Sequence, residues 1–206
     1  MVGEDVMSPS TTLTAPSTAA PVFPMRRFSV DDYHRMIEAG VLTQDDPVEL
    51  LEGWVAEKTP RSPRHDSTIE LANEALRRVL PDGFRVRVHS AITTADSEPE
   101  PDLAVVAGAI GANRDRHPGP GEIALIVEVA DSSVEYHRRV KADLYARAGI
   151  PAYWILNLVS LTLEAHTSPS PDGYRRREVL GGESVALVLD GAEVARLAVA
   201  DLLVAS

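Results

Sequence analysis

The sequence predicts one α/β domain, with a central mixed sheet flanked by helices and an antiparallel β extension at its C-terminal end. Three observations predict it. Segments of helical apolar period alternate with short runs rich in Val, Ile and Leu. Two of those runs, Leu103–Ala107 and Ile123–Ala130, are apolar at successive positions except for Glu128, as strands in the middle of a covered sheet are. From Leu161 onward, four short strand-like segments are separated by turn signals such as Asp172-Gly173 and Asp190-Gly191.

The chain has 206 residues, 44% hydrophobic and 25% charged, a size and balance that suit one globular domain and a tail. Residues 1–24 are rich in Ser, Thr, Pro and Ala without a hydrophobic period, and read as a flexible tail before a domain at 25–206. There is no cysteine and so no disulfide framework or thiolate metal site. No apolar run is long enough to span a membrane, and the first residues lack a secretory signal, so a cytoplasmic protein is expected. The net charge of −11 argues against broad adhesion to nucleic acid, which relies on basic surface. It leaves room for a local basic patch and for a cation in an acidic cleft.

Ser29 with Asp32 predicts a helix start, and Gly40 its end. Val48–Leu51 and Trp54–Lys58 read as a hairpin turning at Glu52-Gly53, with Glu49 inside its first strand. Ile69, Ala72, Leu76 and Val79 have helical spacing after Ser62, and Pro81-Asp82-Gly83 ends that helix. Phe84–Thr94 alternates apolar and polar residues, the pattern of a strand with one wet face. Asn113–Gly121 reads as a loop, and Val134–Ala148 as a continuous helix closed by Gly149-Ile150-Pro151. Tyr153–Leu158 is a further strand, and a short helix over Ala200–Val204 finishes the chain.

Chemistry is expected where charge interrupts apolar segments. Asp102 opens one buried run and Glu128 sits near the end of the other, while Lys141 lies on the inward stripe of the helix that follows. Burying unpaired charge is costly, so three such groups at the edge of one core need an explanation. A metal-dependent phosphodiesterase site accounts for all three. Carboxylates converging at strand ends suit a hard cation such as Mg2+, and Glu49 can supply a third. Lys141 can then orient water or neutralise charge on phosphate. The plainer alternatives are acids that cap turns and a lysine that snorkels. His65 and His137 are expected to be structural and solvated respectively, and Arg138 and Arg139 to form a wet helix face. No P-loop, G-x-G-x-x-G, H-E-x-x-H or G-x-S-x-G pattern is present.

VELLEGWV, EPDLAVV, LIVEVADSS and KADLYARAGIPAYWILNL, in this order, resemble the Uma-type restriction endonuclease family of the PD-(D/E)XK nuclease superfamily. The resemblance runs from about Phe28 to the C-terminus. It implies a restriction-endonuclease-like core and Mg2+-dependent cleavage of DNA, with Mn2+ as a substitute ion. Asp102 takes the place of the motif aspartate and Glu128 that of the second acid. Ala130 stands where the superfamily lysine is expected, and Lys141 on the next helix takes that role. Glu49 and His65 match the family's glutamate and its histidine after the hairpin, whereas His137 stands where the family helix carries an acid. Asp102, Glu128 and Glu49 are thus the expected metal ligands, with Lys141 beside them as a catalytic residue. DNA is the expected partner, no membrane is involved, and a homodimer is a compatible assembly. Two other functions suit the same chain: a non-catalytic nucleic-acid or protein interaction module of this fold, and a metal-dependent phosphoesterase for a small substrate.

Overall fold

A computed structural model describes residues 24–43 and 45–204, so the expected N-terminal tail lies almost wholly outside the described residues. Its centre is a six-stranded mixed sheet in the order β3-β4-β5-β6-β7-β8. The strands are β3 (Phe84–Val88), β4 (Leu103–Ala107), β5 (Ile123–Ala130), β6 (Ala152–Asn157), β7 (Thr162–Ser170) and β8 (Gly173–Leu180). Only β5 and β6 pair in parallel. A parallel neighbour requires a crossover, and the helical segment 134–147 supplies it.

Before the sheet come α1 (Val30–Glu38), the hairpin β1 (Val48–Leu51) and β2 (Trp54–Glu57), and α2 (Pro63–Val79). Ser29 and Asp32 form a reciprocal capping box at the start of α1, and Ser62 caps α2 ahead of a proline at its first position. After the sheet, β9 (Ser184–Leu189) and β10 (Ala192–Ala198) make a separate hairpin turning at Asp190-Gly191. Two of the four expected C-terminal strands therefore extend the main sheet, and two fold back over it.

Strand alternation divides the core in two. Leu103, Val105, Leu125, Val127, Val129, Trp154 and Leu156 pack with α2 and the β9–β10 hairpin. Ala104, Val106, Ile126, Ala130, Tyr153 and Ile155 face the other way, against Leu144 and Tyr145 of the crossover. With a period of two, Asp102 shares the side of Ala104, and Glu128 that of Ile126 and Ala130. Both acids thus lie on the face that the crossover covers, and the first turn of α2 reaches Asp102 there through His65.

Three local expectations are corrected. The strand expected over Phe84–Thr94 ends at Val88, because His89 takes a left-handed φ of 43° and its N–H turns to the Asp102 carbonyl. The short helix expected at Ala200–Val204 is one 3-10 turn at Val199–Asp201. The helix expected over Val134–Ala148 is broken into α3 (Val134–Tyr136), a π turn at His137–Lys141 and α4 (Ala142–Arg147). A π turn spends an extra residue per turn, which shifts the bearing of later side chains by roughly 100° relative to an unbroken α-helix.

Candidate active site

Four elements bring Glu49, Asp102, Glu128 and Lys141 to one cleft of about 980 Å³. Glu49 comes from β1 and is buried. Asp102 precedes β4, and Glu128 lies in β5, all eight residues of which are buried. Lys141 ends the π turn and is only 3% exposed. A snorkelling surface lysine does not match that burial.

The ammonium of Lys141 donates to Glu49 Oε2 at 2.7 Å and stands 3.7 Å from Glu128 Oε1. The backbone N–H of Glu100 also donates to Glu49 Oε2, at 3.1 Å. The Tyr145 hydroxyl donates to Glu128 Oε1 at 2.8 Å, and the Asp102 N–H approaches Glu128 Oε2 at 3.4 Å. Asp102 Oδ2 accepts from the Val129 N–H at 2.8 Å. Two imidazoles flank the same carboxylate: His65 Nε2 at 3.4 Å from Oδ2, and His89 Nε2 at 3.6 Å from Oδ1.

These surroundings pull the acids apart electrostatically. Burial pushes the Glu128 carboxyl from 4.5 up to about 8, with Asp102 and Glu49 adding to the rise and Lys141 opposing it. Burial also disfavours charge on Asp102, yet hydrogen bonds from His65, His89 and the Val129 amide outweigh it and hold Asp102 well below the usual carboxylate range. Burial alone would lower His65, but its contact with Asp102 raises it, so that imidazole favours its proton. For Lys141, burial favours the neutral amine, while Glu128 and Glu49 outweigh burial and raise its pKa.

His137 is buried, not solvated as expected, with its ring 5.6 Å from that of Tyr136. Burial and then the charge of Lys141 push it down to about 4, so it stays neutral. Arg138 is likewise no free wet face, since its guanidinium engages Glu164 of β7. Ala130 is fully buried beside the cleft, and Lys141 reaches in from the crossover. His89 and Tyr145 were missed as site residues. Alternation places His89 on a wet strand face, and Tyr145 reads in the sequence as one more apolar position.

The raised Glu128 carboxyl has a consequence for stability. Between pH 4.5 and about 8 the native state retains a proton that the unfolded chain releases, so stability falls as pH rises through that window. His137 acts in the opposite sense, but only below its ordinary 6.5. Without divalent cations, the wild type is therefore expected to lose stability between pH 6.5 and 8 relative to Glu128→Gln, which has no proton to lose there. Parallel thermal melts over that range check this, and curves of equal slope would contradict it.

The donor set suits a hard divalent cation by its chemistry. Three buried carboxylates face one lysine, and Glu49 Oε1 has no hydrogen-bond partner among the described residues. The cleft carries eight carboxylates, the others being Asp45, Asp46, Glu57, Glu100 and Asp131, against Lys58, Arg61 and Lys141. Among the described residues no three His, Asp or Glu groups are already gathered around a common point. Lys141 occupies the space between Glu49 and Glu128.

The chain is similar to a crystal structure of "a putative nuclease belonging to DUF820" from Anabaena variabilis, at 17% identity and a TM-score of 0.62, covering 85% of this chain and 97% of that one. That likeness concerns the fold. No curated protein matches the sequence. Residues 30–200 match the model of the Uma2 family, described as "Putative restriction endonuclease". The match takes in all four cleft residues and most of the described fold, and the chain belongs to the Uma2 family.

Proposed function

We propose that the protein is a Mg2+-dependent endonuclease that hydrolyses phosphodiester bonds of DNA. The observation that carries this is the convergence of Glu49, Asp102, Glu128 and Lys141, from four separate segments, on one cleft. Membership of a family described as restriction endonucleases supports a nuclease. Asp102, Glu128 and Glu49 are the residues that would hold the cation. When bound, Mg2+ or Mn2+ supplies a Lewis acid that polarises phosphate and lowers the pKa of water.

The chain's own part is to position and to balance charge. Hydrolysis adds water to phosphorus, breaks the P–O bond on the opposite side, and returns a proton to the departing oxygen. Negative charge grows on the phosphoryl oxygens along the way. The Lys141 ammonium, held by Glu49, is a preorganised counter-charge for it. The Val129 N–H fixes one Asp102 oxygen, and the Tyr145 hydroxyl fixes one of Glu128. These contacts set the carboxylates before substrate arrives, which removes reorganisation from the reaction.

A second reading draws on the excess of carboxylates along the cleft. Such a rim repels a long polyanion, and a small phosphodiester would meet less of it. Plasmid DNA and a small aryl phosphodiester, incubated side by side with Mg2+ and with Mn2+, separate the two. The nuclease proposal expects nicked or linear plasmid at enzyme concentrations that leave the small ester unchanged, and the reverse result favours the second reading. Residues 25–206 are proposed as the folding unit, because the packing at that end starts with the Phe28 N–H bonding to the Gly53 carbonyl and with Tyr33 in the core. A chain starting at Met25 is expected to melt cooperatively within about 2 °C of full length, as loss of non-core residues does. A loss of several degrees would show that the earlier residues pack on the domain.

Among the described residues, no helix is long and apolar enough to cross a membrane.

A further inference from the structure

Among the described residues, Glu164 is the most deeply buried acid outside the cleft, at 0% exposed, and its role is not explained by the site. It lies in the middle of β7 on the side that faces the crossover. Arg138 donates to both of its oxygens from Nε at 3.1 Å, and Arg177 of β8 donates to Oε2 from Nε at 3.1 Å. Arg138 also reaches back to Glu135 at 2.6 Å. A buried ion cluster of this kind is seldom needed for stability, since apolar replacements of similar volume are often neutral or better. What such a cluster fixes is geometry.

The sheet register shows what is fixed here. Glu128 of β5 pairs with Ile155 of β6, and Ile155 pairs in turn with Glu164 of β7. Glu128 and Glu164 therefore lie in one cross-strand row, two strands apart, on the same face. The π turn lies over that face, with Arg138 on Glu164 and Lys141 toward Glu128. Its two ends are thus tied to two glutamates of a single row.

We propose that Arg138 and Glu164, braced by Arg177, are positioning residues that hold the π turn in register and so place the Lys141 ammonium between Glu49 and Glu128. The inference rests on the reading that Lys141 serves the cleft. Neither positioning residue touches substrate; each acts through the lysine.

The sequence makes the test clean, because Lys58 and Lys141 are the only lysines. Reductive methylation mapped by peptide mass reports the reactivity of each, and Lys58, whose side chain is 31% exposed, is the internal reference. Arg138→Leu leaves Glu164 paired with Arg177, and Glu164→Gln keeps the shape of the acid. Both are measured well below their melting temperatures. The expected result is a rise of about tenfold in the labelling of Lys141 relative to Lys58, the scale of losing charged hydrogen bonds that hold a local segment shut. A merely stabilising cluster would lower the melting temperature and leave the ratio unchanged, and an unchanged ratio in either folded variant overturns the proposal. Labelling needs no substrate. A wild type that cleaves nothing would therefore remove the nuclease reading while leaving this result to stand or fall by itself. If the wild type does cleave, both variants are expected to lose kcat with little change in KM.

Discussion

Lys141→Met is expected to reduce cleavage by about two to three orders of magnitude, the usual effect of deleting one preorganised electrostatic group. Met preserves much of the stem and volume, so the loss isolates the ammonium. Stability is expected to change as well. The ammonium is the only fixed positive charge within 4 Å of the Glu49 and Glu128 carboxylates among the described residues, and removing it leaves Glu49 buried with only a backbone N–H to meet it. Breaking a buried pair from one side costs about 3 kcal/mol. Added Mg2+ or Mn2+ should restore much of that stability without restoring the rate, because the cation replaces charge and not the position of the lysine. Melting curves with and without cation, beside single-turnover cleavage, read both effects. A variant that cuts like wild type would remove Lys141 from the site.

Asp102→Ala is expected to abolish cleavage and the thermal response to cations together. Its carboxylate is the group that burial fails to neutralise, since His65, His89 and the Val129 amide favour its charged form. A carboxylate held in its charged form at the centre of the cleft, next to a Glu128 that burial pushes toward its neutral form, attracts a cation. In wild type, millimolar Mg2+ or Mn2+ should raise the melting temperature by several degrees, as a ligand present well above its Kd does. In the variant the shift should fall below about one degree. Equal shifts in the two proteins would place the cation elsewhere.

Much of the fold was legible in the residues. The runs Leu103–Ala107 and Ile123–Ala130 coincide with β4 and β5, because β-branched residues covered on both faces leave no other local pattern. Ser29, Ser62 and the Asp-Gly turns are local chemistry, and they act where they stand. The π turn was not legible. A helical period over Val134–Ala148 reads as α, and the extra residue is accommodated where Arg138 and Lys141 meet charges on distant strands. His137 failed for another reason: neighbours of strong charge mark a wet surface in sequence, whereas here the ring is buried against Tyr136 and beside the Tyr153 hydroxyl. The acids of the cleft stood out because charge inside an apolar run is costly. Tyr145 and His89 carried no such signal, their types being ordinary for a core helix and for a strand end.

The claim that the cleft is a cation-dependent nuclease site is tested most directly by incubating supercoiled plasmid and single-stranded DNA with purified protein. Mg2+, Mn2+ and EDTA are compared, with Asp102→Ala as the matched control. The account predicts nicking or linearisation by wild type with either cation, none in EDTA, and none by Asp102→Ala under any condition. Intact DNA in every wild-type reaction, or equal cutting by the variant, would contradict it.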